Sequence, residues 1–83
     1  MKTVENKKFI CELENEEVRI YKKPEKELEY EIVKNGDEYV LVDSDGNSIY
    51  VANADYELEV NIENEDNIVI KNEWQMEVLR IKG

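Results

Sequence analysis

Apolar and polar residues alternate along most of this chain. Lys8 to Glu14 sets Phe9, Cys11 and Leu13 on one face and Lys8, Ile10 and Glu12 on the other, the period of a half-buried strand. Glu17 to Lys22 returns after a turn at Asn15-Glu16. A two-residue loop there opposes Leu13 with Val18, Cys11 with Ile20 and Glu12 with Arg19, apolar on apolar and acid on base. Pro24 stops this hairpin, because it lacks the N–H that a ladder needs. From Glu27 to Lys34, Leu28, Tyr30 and Ile32 point one way and Glu27, Glu29 and Glu31 the other. Residues 1–7 are polar and read as a lead-in outside the sheet.

Two turns punctuate the middle of the chain. Asn35-Gly36 and Asp45-Gly46 are both residue pairs that two-residue type I′ turns select, since Asn, Asp and Gly tolerate positive φ. The first places Ile32 opposite Tyr39 and Tyr30 opposite Leu41. The second places Val42 opposite Ile49, Leu41 opposite Tyr50, Val40 opposite Val51 and Tyr39 opposite Ala52. Leu28, Tyr30, Ile32, Tyr39, Leu41, Tyr50 and Ala52 then share a core face. Val40, Val42, Ile49 and Val51 form a second apolar face that needs a cover.

The remainder repeats the period. A short turn at 52–55 leads to Tyr56–Glu63, with Tyr56, Leu58, Val60 and Ile62 inward, then a polar turn at 63–67 and a short strand from Ile68 to Lys71. Trp74 to Lys82 fits a strand if a bulge absorbs the phase jump between Val78 and Leu79. It also fits a short helix capped by Asn72. The strand is favoured, because every other segment reads at period two.

These elements predict one mainly β domain over residues 1–83, a small antiparallel β-barrel or two-layer sandwich of about six to seven strands. The segment from Glu38 to Leu58 resembles the SH3-like barrel pattern: two strands joined by a tight turn, a short turn at ANADY, then a further strand. That resemblance implies a barrel shape. It implies no binding residues, since the paired tryptophans of SH3 domains have no counterpart here.

Composition narrows function mainly by exclusion. The 83 residues carry 21 acidic and 11 basic side chains, a net charge of −10. Such a field repels phosphates and disfavours direct binding to nucleic acid or an anionic membrane, while admitting a partner with a basic surface. No apolar leader or membrane-length run is present, and the lone Cys11 excludes an internal disulfide, which together point to a cytoplasmic protein. Cys11 reads as a small core hydrophobe. There is no histidine to activate a nucleophile, and two of the three glycines are turn residues, so no phosphate loop exists. The expectation is a non-enzymatic protein without cofactors. Asp43-Ser44-Asp45-Gly46-Asn47-Ser48 has the start of a calcium loop, but Ser48 and Ala54 occupy the places of its glycine and bidentate carboxylate. Hairpin turns select the same residues, and that reading is preferred.

The carboxylate rows carry the sharper hypothesis. Glu27, Glu29 and Glu31 form one row; Glu57, Glu59 and Glu63 form another, interrupted by Asn61. Alternate residues of a strand lie ~6.6 Å apart, comparable to successive phosphates on a nucleic-acid strand. In size, charge and lack of catalytic groups the chain resembles small acidic phage-encoded inhibitors of restriction and CRISPR enzymes. The resemblance implies an inhibitor that mimics nucleic acid and occupies the basic groove of a DNA- or RNA-handling enzyme, with these six glutamates as contacts. The alternative is a small β interaction module or homodimer that associates through the face of Val40, Val42, Ile49 and Val51, or around Trp74 and Tyr21.

Overall fold

The structure is a computed structural model and describes residues 2–14, 17–55 and 57–83. Among the described residues there are nine strands and no helix: β1 Lys2–Glu5, β2 Phe9–Glu14, β3 Glu17–Lys22, β4 Glu27–Asn35, β5 Glu38–Asp43, β6 Ser48–Asn53, β7 Leu58–Ile62, β8 Asn67–Asn72 and β9 Glu77–Lys82. They form two antiparallel sheets in strict sequence order, β1 to β6 and β7 to β9. The smaller sheet packs on one face of the larger. Their shared core includes Cys11, Ile20, Ile32 and Leu41 from one sheet and Val60, Ile68, Ile70 and Ile81 from the other. The barrel expectation is therefore corrected to an unclosed sandwich with more strands than expected. In particular, β6 and β7, joined in the SH3-like reading, belong to different sheets.

The predicted β2–β3 register is present: Cys11 faces Ile20, Glu12 faces Arg19 and Leu13 faces Val18. The Asn15-Glu16 turn itself lies outside the described residues, as does Tyr56. The polar lead-in is corrected. Lys2–Glu5 pairs along β2, with Val4 opposite Cys11, so one half-buried valine suffices to hold a charged edge strand.

Both central turns differ from the type I′ expectation, each for an identifiable reason. After β4 the loop is Gly36-Asp37, closed by Asn35 opposite Glu38, with φ +63 at Gly36 alone. A glycine at the first central position is the II′ arrangement. The register moves by two, so Ile32 meets Leu41 instead of Tyr39, and parity keeps all three inward and buried. After β5 the loop has three residues. The Asp43 N–H donates to the Asn47 carbonyl (3.0 Å), the Gly46 N–H donates to the Asp43 carbonyl (3.1 Å), and Gly46 has φ +86. That is a type I turn followed by a left-handed residue. The slip of one would turn every β6 side chain over, and a bulge at Val51 restores the frame: Leu41 faces Ile49 and Val40 faces Tyr50, yet Tyr39 still faces Ala52. Tyr50 thus leaves the predicted core and is 61 % exposed, whereas Val51 enters it.

Three-residue loops recur. Asn72 to Met76 repeats the Asp43 to Asn47 pattern: the Asn72 N–H donates to the Met76 carbonyl, the Gln75 N–H donates to the Asn72 carbonyl, and Gln75 has φ +63 where the first loop has glycine. The Asn72 Oδ1 accepts the N–H of Trp74 and of Met76, both at 3.0 Å. Trp74 and Met76, predicted to lie within a strand, therefore sit in this turn and at its exit, and β9 starts at Glu77. It is a strand and not a helix, and its bulge falls at Val78, where the phase jump requires one. A side chain at positive φ costs roughly 1–2 kcal/mol, partly offset in Gln75→Gly by glycine's unfolded-state freedom and by loss of the exposed Gln75–Glu59 hydrogen bond. Gln75→Gly is expected to raise the melting temperature by about 2–4 °C. Gly46→Ala is expected to lower it, by backbone strain alone, since a Cβ there meets nothing within 4 Å. Thermal melts followed by circular dichroism check both.

Candidate interaction surface

The pairing map decides which side chains share a surface. On the outer face of the larger sheet, Ile10, Tyr21 and Leu28 form one cross-strand row and Glu12, Arg19, Glu31 and Val42 the next. Val33, Val40 and Tyr50 form a third. Lys26 Nζ lies 5.1 Å from the centre of the Tyr21 ring.

Glu27, Glu29 and Glu31 do not line one face. A bulge between Leu28 and Tyr30 leaves Glu29 without a partner on β3 and reverses the alternation. Leu28, expected in the core, pairs with outward Tyr21 and is 46 % exposed. Glu27 pairs with Lys22, whose other neighbour is core Phe9. Glu31 stays outward and is occupied: Arg19 Nε donates to its Oε2 at 3.3 Å, while Arg19 Nη2 reaches Glu17 at 2.9 Å. The Glu31 hydrogen bond, helped by the Glu17 charge, raises the Arg19 pKa further above its already high value.

The second row lies on the smaller sheet. Glu59, opposite Lys71, accepts a hydrogen bond from Gln75 Nε2 at 2.7 Å. Glu63 follows β7 and is held by Arg80, which also bonds Glu77. The Arg80 hydrogen bond keeps the Glu63 carboxyl below its ordinary range. Glu57 precedes β7 and is exposed. Among the described residues, Glu27, Glu29 and Glu57 carry neither an ion pair nor a side-chain hydrogen bond such as that from Gln75 to Glu59, so these three present the freer carboxylates of the six.

Topology assembles an acidic end that the strand rows did not reveal. In an antiparallel meander alternate turns fall at the same end. The strand ends that flank the β2–β3, β4–β5, β6–β7 and β8–β9 steps therefore gather together, as the 2.8 Å bond from the Ala54 N–H to the Asp37 carbonyl confirms for two of them. Their acids are Glu14, Glu17, Asp37, Glu38, Asp55, Glu57, Glu73 and Glu77, against Lys2, Lys34 and Lys71. The opposite end holds Lys7, Lys8, Lys22, Lys23, Lys26 and Lys82 among its own acids, and Lys7, Lys8 and Lys23 line a shallow cleft with Pro24 and Asp66. Acid lies in or beside every turn in the sequence; what sets the two ends apart is that lysines concentrate in the β1–β2 and β3–β4 turns of the opposite end.

The calcium-like stretch is a turn built by its own side chain. Asp43 Oδ1 accepts the N–H of Asp45 and of Asn47, both at 2.9 Å, and Oδ2 accepts Asn47 Nδ2 at 3.3 Å. Partial burial of Asp43 opposes ionisation, but these hydrogen bonds outweigh it and lower the pKa. No cluster of metal-ligating side chains occurs among the described residues. Cys11 is fully buried, and burial pushes its thiol up to about 12, which keeps it protonated and inert.

One apolar opening interrupts the sandwich. The edge strands β6 and β9 approach without pairing and leave a cleft of about 300 Å³ lined by Tyr30, Leu41, Ile49, Leu79 and Ile81, with Asp43, Asn47, Arg80 and Lys82 at its rim. Ile49 points into it and is 55 % exposed. In comparisons with known proteins the chain matches no family model, no curated protein and no solved structure, so the site rests on its geometry.

Proposed function

We propose that this chain is a non-enzymatic acidic binding protein that occludes the basic nucleic-acid-binding surface of a partner protein, in the manner of a nucleic-acid mimic. The observation that carries this reading is an uneven distribution of charge: acids flanking four alternate connections gather at one end of a compact β scaffold with three lysines among them, whereas the opposite end mixes its acids with six lysines. A rigid scaffold holds those carboxylates without the ordering cost of a flexible acidic tail. Glu57 belongs to this end, whereas Glu27 and Glu29 lie toward the far end of β4 and would form a separate, secondary contact.

Capture of partners on the immobilised chain, followed by competition with duplex DNA and with RNA, tests the proposal. The expected partner binds nucleic acid and releases it as this protein is added. Its affinity for this protein falls steeply as salt rises. Reversing Asp37, Glu38 and Asp55 together to Lys is expected to cost about a hundredfold in affinity, and reversing Glu27, Glu29 and Glu57 somewhat less. Affinity that ignores both salt and these reversals would show the reading to be wrong.

A further inference from the structure

We infer that the free edge of β6 is a strand-addition site for an extended segment of a partner protein, apolar at alternate positions and flanked by Lys or Arg. Sheet edges invite pairing, and proteins blunt them with charge. Among the described residues the other three edges are guarded: β1 by Lys2 and Glu5, β7 by Glu59, β9 by Glu77, Arg80 and Lys82. β6 reads Ser-Ile-Tyr-Val-Ala-Asn and carries no charge.

The hydrogen-bond pattern shows which groups are on offer. The bond from the Asp43 N–H to the Asn47 carbonyl makes these a bonded pair. Bonded and non-bonded pairs alternate along an antiparallel ladder, so Leu41–Ile49 is bonded while Val42–Ser48 and Val40–Tyr50 are not. The N–H and C=O of Ser48 and Tyr50 therefore point away from β5, toward the free edge. An added strand finds backbone partners there and an apolar cleft of about 300 Å³ beside Ile49, Leu79 and Ile81 for its own side chain.

Charge selects the occupant. Asp43 and Asp45 stand at the start of β6, and Glu38 and Asp55 at its end. Arg80, the guanidinium at the cleft rim, is held by Glu63 and Glu77, and Lys82 lies beside it on the opposite wall. A second copy pairing about a two-fold axis would set one chain's Asp45 end beside the other's Asp55 end, with −10 on each chain. A strand with basic ends and an apolar centre meets no such repulsion.

The inference does not depend on nucleic-acid mimicry, because the glutamates of β4 take no part in it. A displayed library of random peptides, each about nine residues long to span a strand, is selected against the full chain. Enriched peptides are expected to alternate apolar residues, to carry Lys or Arg near their ends, and to protect the Ser48 and Tyr50 amides from hydrogen exchange. Ile49→Lys adds the missing guard charge at an exposed position. Tyr50→Pro removes an outward donor, which an edge strand tolerates. Each is expected to weaken peptide binding at least tenfold, and Ile49→Lys to keep the wild-type melting curve. Reversing Glu27, Glu29 and Glu57 is expected to leave it intact. Failure to enrich peptides, enrichment without basic ends, or equal binding to Ile49→Lys overturns the proposal. So does sedimentation as a dimer that Ile49→Lys dissociates, which would make a second copy the occupant.

Discussion

Ile20→Ala is expected to destabilise the fold by about 2–5 kcal/mol, through lost transfer energy and the cavity left behind. Ile20 has no exposed surface, lies between Cys11 and Tyr30 on neighbouring strands, and belongs to the same core as Ile68 and Ile70 of the smaller sheet. A chain of this length has roughly 4–12 kcal/mol of total stability, so the loss is a large share of it. At ~4–8 °C per kcal/mol the melting temperature drops by about 8–40 °C. Ile68→Ala, the equivalent change in the smaller sheet, is expected to have the same size and to shift the same single transition. The reason is that neither sheet can bury its apolar face without the other. Ile49→Ala, at an exposed position, should stay within about 0.5 kcal/mol. Urea and thermal unfolding followed by both circular dichroism and tryptophan fluorescence decide the matter. Separate transitions for the two probes in Ile68→Ala would mean that the sheets fold independently.

Asn6→Ala is the second large effect, expected to cost about 2–4 kcal/mol. Asn6 lies in the turn between β1 and β2 and uses its whole hydrogen-bonding capacity. Its Oδ1 accepts the N–H of Lys8 (3.0 Å) and of Phe9 (2.8 Å), and its Nδ2 donates to the carbonyls of Asn64 and Asn67, both at 3.1 Å. The first pair shapes the turn. The second, with the 2.9 Å bond from the Lys7 N–H to the Glu65 carbonyl, ties the larger sheet to the β7–β8 turn. Asn6→Asp separates the two roles, since it keeps the acceptor and replaces the donor by an oxygen facing two carbonyls. It should cost nearly as much as Asn6→Ala if the link between sheets dominates, and much less if the turn does. Losses below about 0.5 kcal/mol in both variants would show that water replaces all of these bonds.

The sequence carried the strands better than their faces. Alternation located β2 to β5 and the β2–β3 register, and the awkward step from Val78 to Leu79 announced its bulge. The bulges at Glu29 and Val51 left no such trace. Glu27 to Ile32 alternates almost without fault, and yet the chain spends one residue at Glu29 to accommodate the larger sheet's pairing. Asp45-Gly46 suits a two-residue and a three-residue loop equally, because both place glycine at positive φ, and the one-residue difference reverses β6 from Ser48 to Tyr50, up to the bulge at Val51. Strand β1 was missed because a single half-buried valine among Lys, Thr and Glu gives no period to read. Exposure was legible for Glu27, Glu57, Glu59 and Glu63, while Glu29 and Glu31 are half-buried, and the company that these glutamates keep was not legible. That Arg19 takes Glu31 and Arg80 takes Glu63 depends on which strands are neighbours.

The strand order has a kinetic consequence. Every ladder joins strands adjacent in sequence, β1 through β6 and then β7 through β9, so each pairing closes only a short loop and loses little chain entropy. Such local topology belongs to the fast end of β folding. The costly closure is concentrated in one event, the meeting of the Asn6 turn with residues 64–67, which are 58 and 61 positions away along the chain. Until that event each meander exposes one apolar face. The interval before docking is thus the chain's period of greatest exposure to misassociation, and its −10 charge is what keeps two such intermediates apart.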